Sequence, residues 1–383
     1  MDFEWNFEQK TFRESMHKFA EKEISPGIIE RDMKGEFNRD AWKKAGEFGV
    51  LGLPIPEKYG GGGADIMTML AGMEGFGLGC RDAGFYLSLA AHIVIGEIPI
   101  WKFGSEEQKL RYLPKMCNGE WVGAYGLSEP DAGSDALSLR TTAVKKEDYY
   151  ILNGTKMFIT NGPIANVVVV FATVDRSKGA KGITAFIVER DFPGFSVSRE
   201  IDKMGQRTSP TGELIFEDCI VPAENRLGEE GKGVSILYES LEWERACLLA
   251  GSIGQVEYEL DRCIKYANER VQFGRTIGQF QLMQERLANM KWRLEASRLL
   301  VYRAGWMKQK GIPARMEAAI AKLAISETRV ANALDAVQIH GGYGYMREFE
   351  VERILRDSIA ATIGAGSTEI QKITIARQLL SGH

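Results

Sequence analysis

The chain has 383 residues, 44% hydrophobic and 26% charged, with a formal net charge of −4. That length can bury a large core divided into two or three domains, and the mild acidity gives no electrostatic reason to expect nucleic acid or an anionic membrane as partner. Five cysteines, Cys80, Cys117, Cys219, Cys247 and Cys263, show no CxxC spacing and read as reduced thiols, while the scattered His17, His92, His340 and His383 argue against a metal site.

Taken in order, Phe7, Phe12, Met16 and Phe19 recur at near-helical spacing with Glu8, Lys10, Arg13 and Glu14 on the other faces, which predicts an amphipathic helix. This segment lacks an apolar signal core. The longest apolar run, residues 167–172, is too short to span a bilayer, so the chain reads as cytoplasmic. Residues 53–65, LPIPEKYGGGGAD, contain two prolines and four consecutive glycines, which forbid a regular ladder. No GK[ST] follows, so a flexible connection is expected rather than a phosphate cradle. Ser105 and Gln108 have the spacing of a capping box and open a further helix. Residues 1–120 thus read as a helical domain. From 121 to 227, runs such as VVVVFATV, ITAFIVER, FSVSRE and ELIFEDCIV are short, β-branched and bounded by turn residues, which predicts a mainly antiparallel β-domain. From 228 to 383 the helical period returns, with candidate helices over 236–251, 257–271, 281–310, 313–339 and 349–358. The expected class is α+β: an N-terminal helical domain, a middle antiparallel β-domain and a C-terminal four-helix bundle.

Residues 125–162 carry the chemistry. In SEPDAGSD, Gly133 and Ser134 leave backbone N–H groups and a hydroxyl uncovered, which suits an anionic pyrophosphate. In ILNGTKMFITNG, period-two alternation places an aromatic wall, Phe158, and a hydroxyl, Thr160, on one side of a strand. Either half alone reads as an ordinary polar hairpin. In this order, about 25 residues apart, they carry more than either does alone.

The pair EPxAGSD and NGxKxFITNG resembles the flavin-binding signature of the acyl-CoA dehydrogenase family. The match continues through KMGQR (203–207), ERVQFG (269–274), DAVQIHGGYG (335–344) and LRDS (355–358), in family order along essentially the whole chain. The resemblance implies an acyl-CoA dehydrogenase-like fold and FAD as cofactor. It places Leu127, Ser128, Gly133, Ser134, Phe158 and Thr160 around the flavin of their own subunit. Arg270, Phe273, Gln281, Gln338, Gly341 and Gly342 match residues that reach the FAD of a neighbouring subunit, and Ser367 and Glu369 match residues closing on the cofactor. A shared FAD implies at least a dimer, and the family is usually a tetramer. Read without the family, Arg270 is a helix-terminal cation and Gly341–Gly342 a helix stop. The chain departs from the family pattern at Asp131, Ser128 and Phe158, where glycine, threonine and tryptophan are usual. A ring face and a hydroxyl survive, so flavin binding is expected to persist.

Oxidising a saturated thioester needs a base for the Cα proton, a hydride acceptor and donors to the carbonyl oxygen. In the commonest family pattern the base is a glutamate just before a Gly-Thr/Ser pair near the C-terminus, and here that position is Ala365. A second family placement, as in isovaleryl-CoA dehydrogenase, puts the glutamate directly before an arginine on an earlier helix, and Glu244-Arg245 match it. Helical spacing sets Glu244 on a stripe with Leu237, Leu241 and Leu248, where partial desolvation would raise its pKa. Glu242 points the other way and is the weaker candidate. The resemblance leaves the Ala365 backbone N–H as an oxyanion donor, and Ser134, Arg245 and Ala365 as the substrate pocket. FGLGCRDAGFYLSLAAH, SLEWERACLLAG, EDCIVPAENRLGEEGKG, AKLAISE and LRDSIAATI are similar to the family branch that oxidises aminoacyl groups on carrier proteins, above all the L-prolyl-carrier-protein dehydrogenases. The expected partners are an acyl or peptidyl carrier protein, or else CoA, and an electron acceptor that is a flavoprotein or oxygen. An isovaleryl-like acyl-CoA dehydrogenase and a non-catalytic flavin- or acyl-binding protein are the alternatives.

Overall fold

The structure, a computed structural model, describes residues 4–380. Asn6 accepts from the Gln9 N–H while the Gln9 side chain reaches back to Asn6, and this capping box starts helix α1 (Phe7–Phe19). Met16 is buried, and Phe12 and Phe19 pack against the core. Phe7 is 83% exposed, so the inward stripe is one residue shorter than the spacing predicts. Asp65 caps helix α2 (Ile66–Gly79), which is apolar almost all round and lies between α1 and a later helix. The capping box at Ser105 opens α3 (Glu106–Cys117), as expected.

Two expectations about this region need correction. The glycine run is a fixed loop rather than a flexible one. Its N–H groups bond back, Gly62 to the Gly52 carbonyl at 3.0 Å and Gly63 to that of Ile55 at 2.8 Å. A Cβ at Gly61 would lie 2.1 Å from the Ile55 carbonyl oxygen, so glycine serves close backbone approach there. The second correction concerns bilayer-length apolar segments. The helical stretch Ala83–Phe103 is long and apolar enough to cross a membrane, but 89% of its window is buried inside the fold, as in a core helix. The buried Ser88, His92 and Glu97 interrupt it as a run of letters.

The middle of the chain forms an eight-stranded sheet from β1 (Gly123–Gly126), β2 (Thr142–Lys145), β3 (Tyr149–Thr160), β4 (Val167–Thr173), β5 (Ile183–Glu189), β6 (Phe195–Glu200), β7 (Thr211–Pro222) and β8 (Arg226–Leu227). The order is β6-β7-β3-β2-β4-β5-β8, with β1 beside β4. Pairing is antiparallel except that β4 runs parallel to β1 and β2. Strand β4 is buried throughout because both faces are covered. Val167, Val169 and Phe171 pack with Tyr112, Met116, Ile236 and Leu237 on the helical side, while Val168, Val170 and Ala172 join Tyr150, Leu152 and Phe216 on the other.

The helices resume with α4 (Gly233–Trp243), a wide turn at Glu244–Leu248, and α5 (Leu249–Glu269), all one continuous rod. The expected break near residues 251–257 is absent. Glycines there serve helix crossing: a Cβ at Gly254 would sit 2.0 Å from the Glu74 carbonyl oxygen, and one at Gly77 would sit 1.9 Å from that of Gly251. Gly254→Ala is therefore expected to destabilise the protein by about 1–3 kcal/mol, since only backbone can move aside, and to lower the thermal midpoint by several degrees. An unchanged midpoint in a melting experiment would show that the α2–α5 crossing is not this tight. A short hairpin, Val271–Gln272 with Arg275–Thr276, precedes α6 (Gln281–Gln309). Then come α7 (Arg315–His340), α8 (Val351–Ile363) and α9 (Thr368–Leu380), with α7 packed against α5, α6, α8 and α9. The hairpin and α9 were not anticipated from sequence.

Candidate active site

The two halves of the 125–162 motif are bonded to each other. Leaving β1, the chain presents Glu129 inward, where its carboxylate accepts from the Thr141 N–H at 2.9 Å, the Thr141 hydroxyl at 2.6 Å and the Arg140 N–H. Lys156 of β3, fully buried, donates to Glu129 at 2.7 Å and to the Leu127 carbonyl at 3.1 Å. Met157 N–H adds a bond to the Ser128 carbonyl at 2.9 Å. Burial alone would raise the Glu129 pKa, but Lys156 and the surrounding donors override it and keep the carboxylate below its usual range. This pair was missed in the sequence, although opposite charges in the two half-motifs were the signal.

Phe158 and Thr160 leave the core because of a bulge. The β3–β7 register shifts between Lys156 and Ile159, so the inward positions change from Tyr150, Leu152 and Lys156 to Ile159. Phe158 takes a left-handed backbone, φ 63°, and is 66% exposed. Thr160 is half-buried on the same outward side, beyond Ile159. Alternation alone, continued from Tyr150, would have turned both inward. Leu127 and Ser128 are half-buried beside them, and Ser134 is exposed. An added Cβ at Gly133 would meet nothing within 4 Å, so its backbone is open to a ligand. Asp131 pairs with Arg140 at 2.8 Å on the surface.

The candidate base lies where α4 widens. The wide turn that Glu244 opens is an interruption that recurs at functional sites. The regular stripe ends there: Leu237 is buried and Leu241 half-buried, while Leu248 lies outside the described side chains. Burial pushes the Glu244 carboxyl above the usual range, and Arg245 and Lys322 pull it partly back. Tyr125 of β1 also faces Glu244 and Ser240. Glu242 instead pairs with Lys308 at 3.2 Å.

Arg245 joins this turn to the Ala365 segment. Its Nη2 and Nε donate to the Ala365 carbonyl at 3.0 and 3.3 Å. Gln371, fully buried, donates to the same oxygen at 3.1 Å and to the Gly366 carbonyl at 2.8 Å. Ala365 and Gly366 both have left-handed backbones, φ 56° and 83°. A Cβ at Gly366 would lie 2.8 Å from Gln371 Nε2 and 2.9 Å from Arg245 Nη2. The turn is therefore held at its carbonyls. Just beyond it, the Ser367 hydroxyl accepts from the Ile370 N–H at 3.4 Å at the start of α9, and Glu369 is exposed in the first turn of that helix.

The remaining expected contacts cluster elsewhere. Arg270 sits over the Tyr343 ring at 5.5 Å, and Phe273, φ 50° and 93% exposed, meets Phe280 edge-on with centroids 6.1 Å apart. Gln281 is exposed at the first residue of α6, Gln338 is exposed near the end of α7, and a Cβ at Gly341 or Gly342 would meet nothing. In the single chain all of these but the half-buried Arg270 are exposed.

Known proteins resemble this chain along its full length. Residues 6–120, 124–219 and 231–380 match the N-terminal, middle and C-terminal domains of acyl-CoA dehydrogenase. The crystal structure of the prolyl acyl carrier protein oxidase AnaB superposes with a TM-score of 0.97 at 46% identity, covering 98% of this chain and 100% of that one. An L-prolyl-[peptidyl-carrier protein] dehydrogenase from Pseudomonas fluorescens is 41% identical, covering 99% of this chain and 100% of its own length. A mitochondrial isovaleryl-CoA dehydrogenase from Oryza sativa subsp. japonica is 43% identical, covering 97% and 91%. With the uncovered backbone at Gly133, the hydroxyls of Ser128, Ser134 and Thr160 and the presented Phe158 ring, this chain belongs to the acyl-CoA dehydrogenase family, whose cofactor, FAD, the seat fits.

Proposed function

We propose that the protein is an FAD-dependent oxidoreductase that introduces a Cα–Cβ double bond into a thioester-bound acyl group, with Glu244 as base and an L-prolyl group on an acyl or peptidyl carrier protein as substrate. The observation that carries the reading is the juxtaposition of a half-buried carboxyl of raised pKa, Glu244, with the Ala365 turn through Arg245. A carboxylate that is poorly solvated is a stronger base toward carbon than one in water, so burial matches the chemistry. Glu244 accepts the Cα proton. The Ala365 N–H, on a turn fixed through its own carbonyl, donates to the thioester oxygen as enolate charge builds. FAD, when bound, supplies the hydride acceptor. Leu127, Ser128, Gly133, Ser134, Phe158 and Thr160 hold it from one subunit. Arg270, Phe273, Gln281, Gln338, Gly341 and Gly342 hold it from a neighbour, with Ser367 and Glu369 closing the site. This arrangement requires an oligomer, which we take to be a tetramer.

The prolyl substrate is supported by the likeness to AnaB and to the Pseudomonas dehydrogenase. The second reading, an acyl-CoA substrate of isovaleryl type, is supported by the 43% identity to the rice enzyme. Anaerobic bleaching of the FAD-loaded protein separates them. Prolyl-S-carrier protein is expected to bleach the flavin rapidly, and isovaleryl-CoA and butyryl-CoA slowly or not at all. Bleaching by an acyl-CoA alone would overturn the prolyl assignment and leave Glu244 standing. Bleaching by none of the three would favour a non-catalytic flavoprotein.

A further inference from the structure

One further buried side chain lies on a helix packed against both the Glu244–Leu248 turn and the helix that leads to Ala365. Lys322 lies on α7, the helix packed against the Glu244–Leu248 turn, α8 and α9. It is 2% exposed, and its Nζ donates to the Ala361 carbonyl at 2.8 Å. Ala361 belongs to the last turn of α8, which ends at Ile363 and delivers the chain to the Ala365 turn. The charged groups facing the ammonium are Glu244 and Arg245 from the wide turn and Glu369 from the start of α9. Burial pushes the Lys322 pKa down to about 8, with Glu244 pulling it up and Arg245 pushing it further down. An apolar side chain of similar length would fill this space without the cost of desolvating a cation. A buried cation on the helix packed against the Glu244 turn, bonded to the helix end that leads to Ala365, therefore points to a task beyond packing.

We propose that Lys322 is a positioning residue for the reaction: its ammonium favours the charged, proton-accepting form of Glu244, and its bond to Ala361 fixes the helix end from which the Ala365 turn departs. This rests on the reading of Glu244 as the base. Glu244 must be ionised to act, so flavin reduction falls off as pH drops through its pKa. Removing the neighbouring positive charge raises that pKa, and the acid limb of the rate profile moves to higher pH.

The test uses Lys322→Gln, Lys322→Met and Lys322→Arg as FAD-loaded proteins, with FAD content and thermal midpoint measured for each. Stopped-flow bleaching is followed across pH with whichever of prolyl-S-carrier protein and isovaleryl-CoA reduces the parent. The acid limb is expected to move up by about one pH unit in the glutamine and methionine variants. It stays in place in the arginine variant, which keeps the charge. Glutamine retains a donor for Ala361, so its plateau rate exceeds that of methionine, which falls about tenfold. A limb at the parental pH in both neutral variants, whatever happens to their midpoints, would overturn the proposal and reduce Lys322 to packing. A limb displaced equally in the arginine variant would do the same. Should the neutral variants bind FAD weakly, their limbs are followed with FAD held in excess, so that the loss of charge is still read. Glu244→Gln keeps the two readings apart. If that variant bleaches normally, the base assignment fails. If it is inactive while the Lys322 limb is unmoved, only the present inference fails.

Discussion

Glu244→Gln is expected to retain FAD at the parental stoichiometry and to slow flavin reduction by the thioester substrate about a thousandfold, within the range that positioned bases contribute. The amide has nearly the shape of the carboxyl it replaces, so the wide turn and the Arg245 bond to Ala365 persist. What is lost is a lone pair basic enough to accept a proton from carbon. Two controls make the expectation specific. The first is pH: because burial holds the Glu244 pKa above the ordinary carboxylate range, the parent's rate should fall on an acid limb lying above that range, and the variant's residual rate should show no such limb. The second is Glu242→Gln. That carboxylate pairs with Lys308, with side-chain exposures of 30% and 9%, and its loss should change the bleaching rate by no more than a few-fold. Stopped-flow bleaching of both variants under anaerobic conditions reads all of this. Near-parental reduction in the Glu244 variant, or a collapse confined to the Glu242 variant, would remove Glu244 from the chemistry.

The fold was legible where chemistry is local. The capping box at Ser105, the β-branched runs from Val167 onward and the amphipathic first helix are properties of neighbouring residues, and each element stands where its pattern put it. The misreadings share a cause in tertiary contact. Gly251 and Gly254 suggest a helix end because glycine is a poor helix former, yet here the missing Cβ lets Tyr86 and the α2 backbone approach. The glycine run at residues 60–63 reads as slack for the same reason and is instead bonded back on Gly52 and Ile55. Helix α9, TEIQKITIARQLL, buries Gln371 and exposes Leu379 and Leu380, so its apolar residues do not mark an inward face. At the site, the bulge that turns Phe158 outward depends on the register with β7, which no spacing within β3 records. Lys322 sat in AKLAISE, read only as family wording, because its significance lies in two segments distant in sequence, around Glu244 and Ala361.

Lys156→Met is expected to cost about 3–5 kcal/mol and to empty the flavin seat, the largest stability effect foreseen for a single side chain here. Lys156 is fully buried and Glu129 is 5% exposed, so neither charge can fall back on water. With the ammonium gone, Glu129 keeps only the Thr141 and Arg140 donors, and its carboxylate must either remain charged without a countercharge or take up a proton. Either course loosens the link between the Leu127–Glu129 segment and β3, which runs through Lys156 to the Leu127 carbonyl and to Glu129. Those are the strands of chain that set Ser128, Gly133 and Phe158 in their mutual positions, so the lost stability appears as lost FAD affinity. A double variant, Glu129→Gln with Lys156→Met, separates the ion pair from the packing. Removing both charges leaves a neutral amide that the hydroxyl of Thr141 can still serve, so the double variant should be more stable than Lys156→Met alone. Melting curves and FAD retention of the two singles and the double measure the coupling directly. If the losses simply add, or if Lys156→Met holds FAD at the parental midpoint, the pair does not organise the seat, and the backbone bond from Met157 to Ser128 carries that task instead.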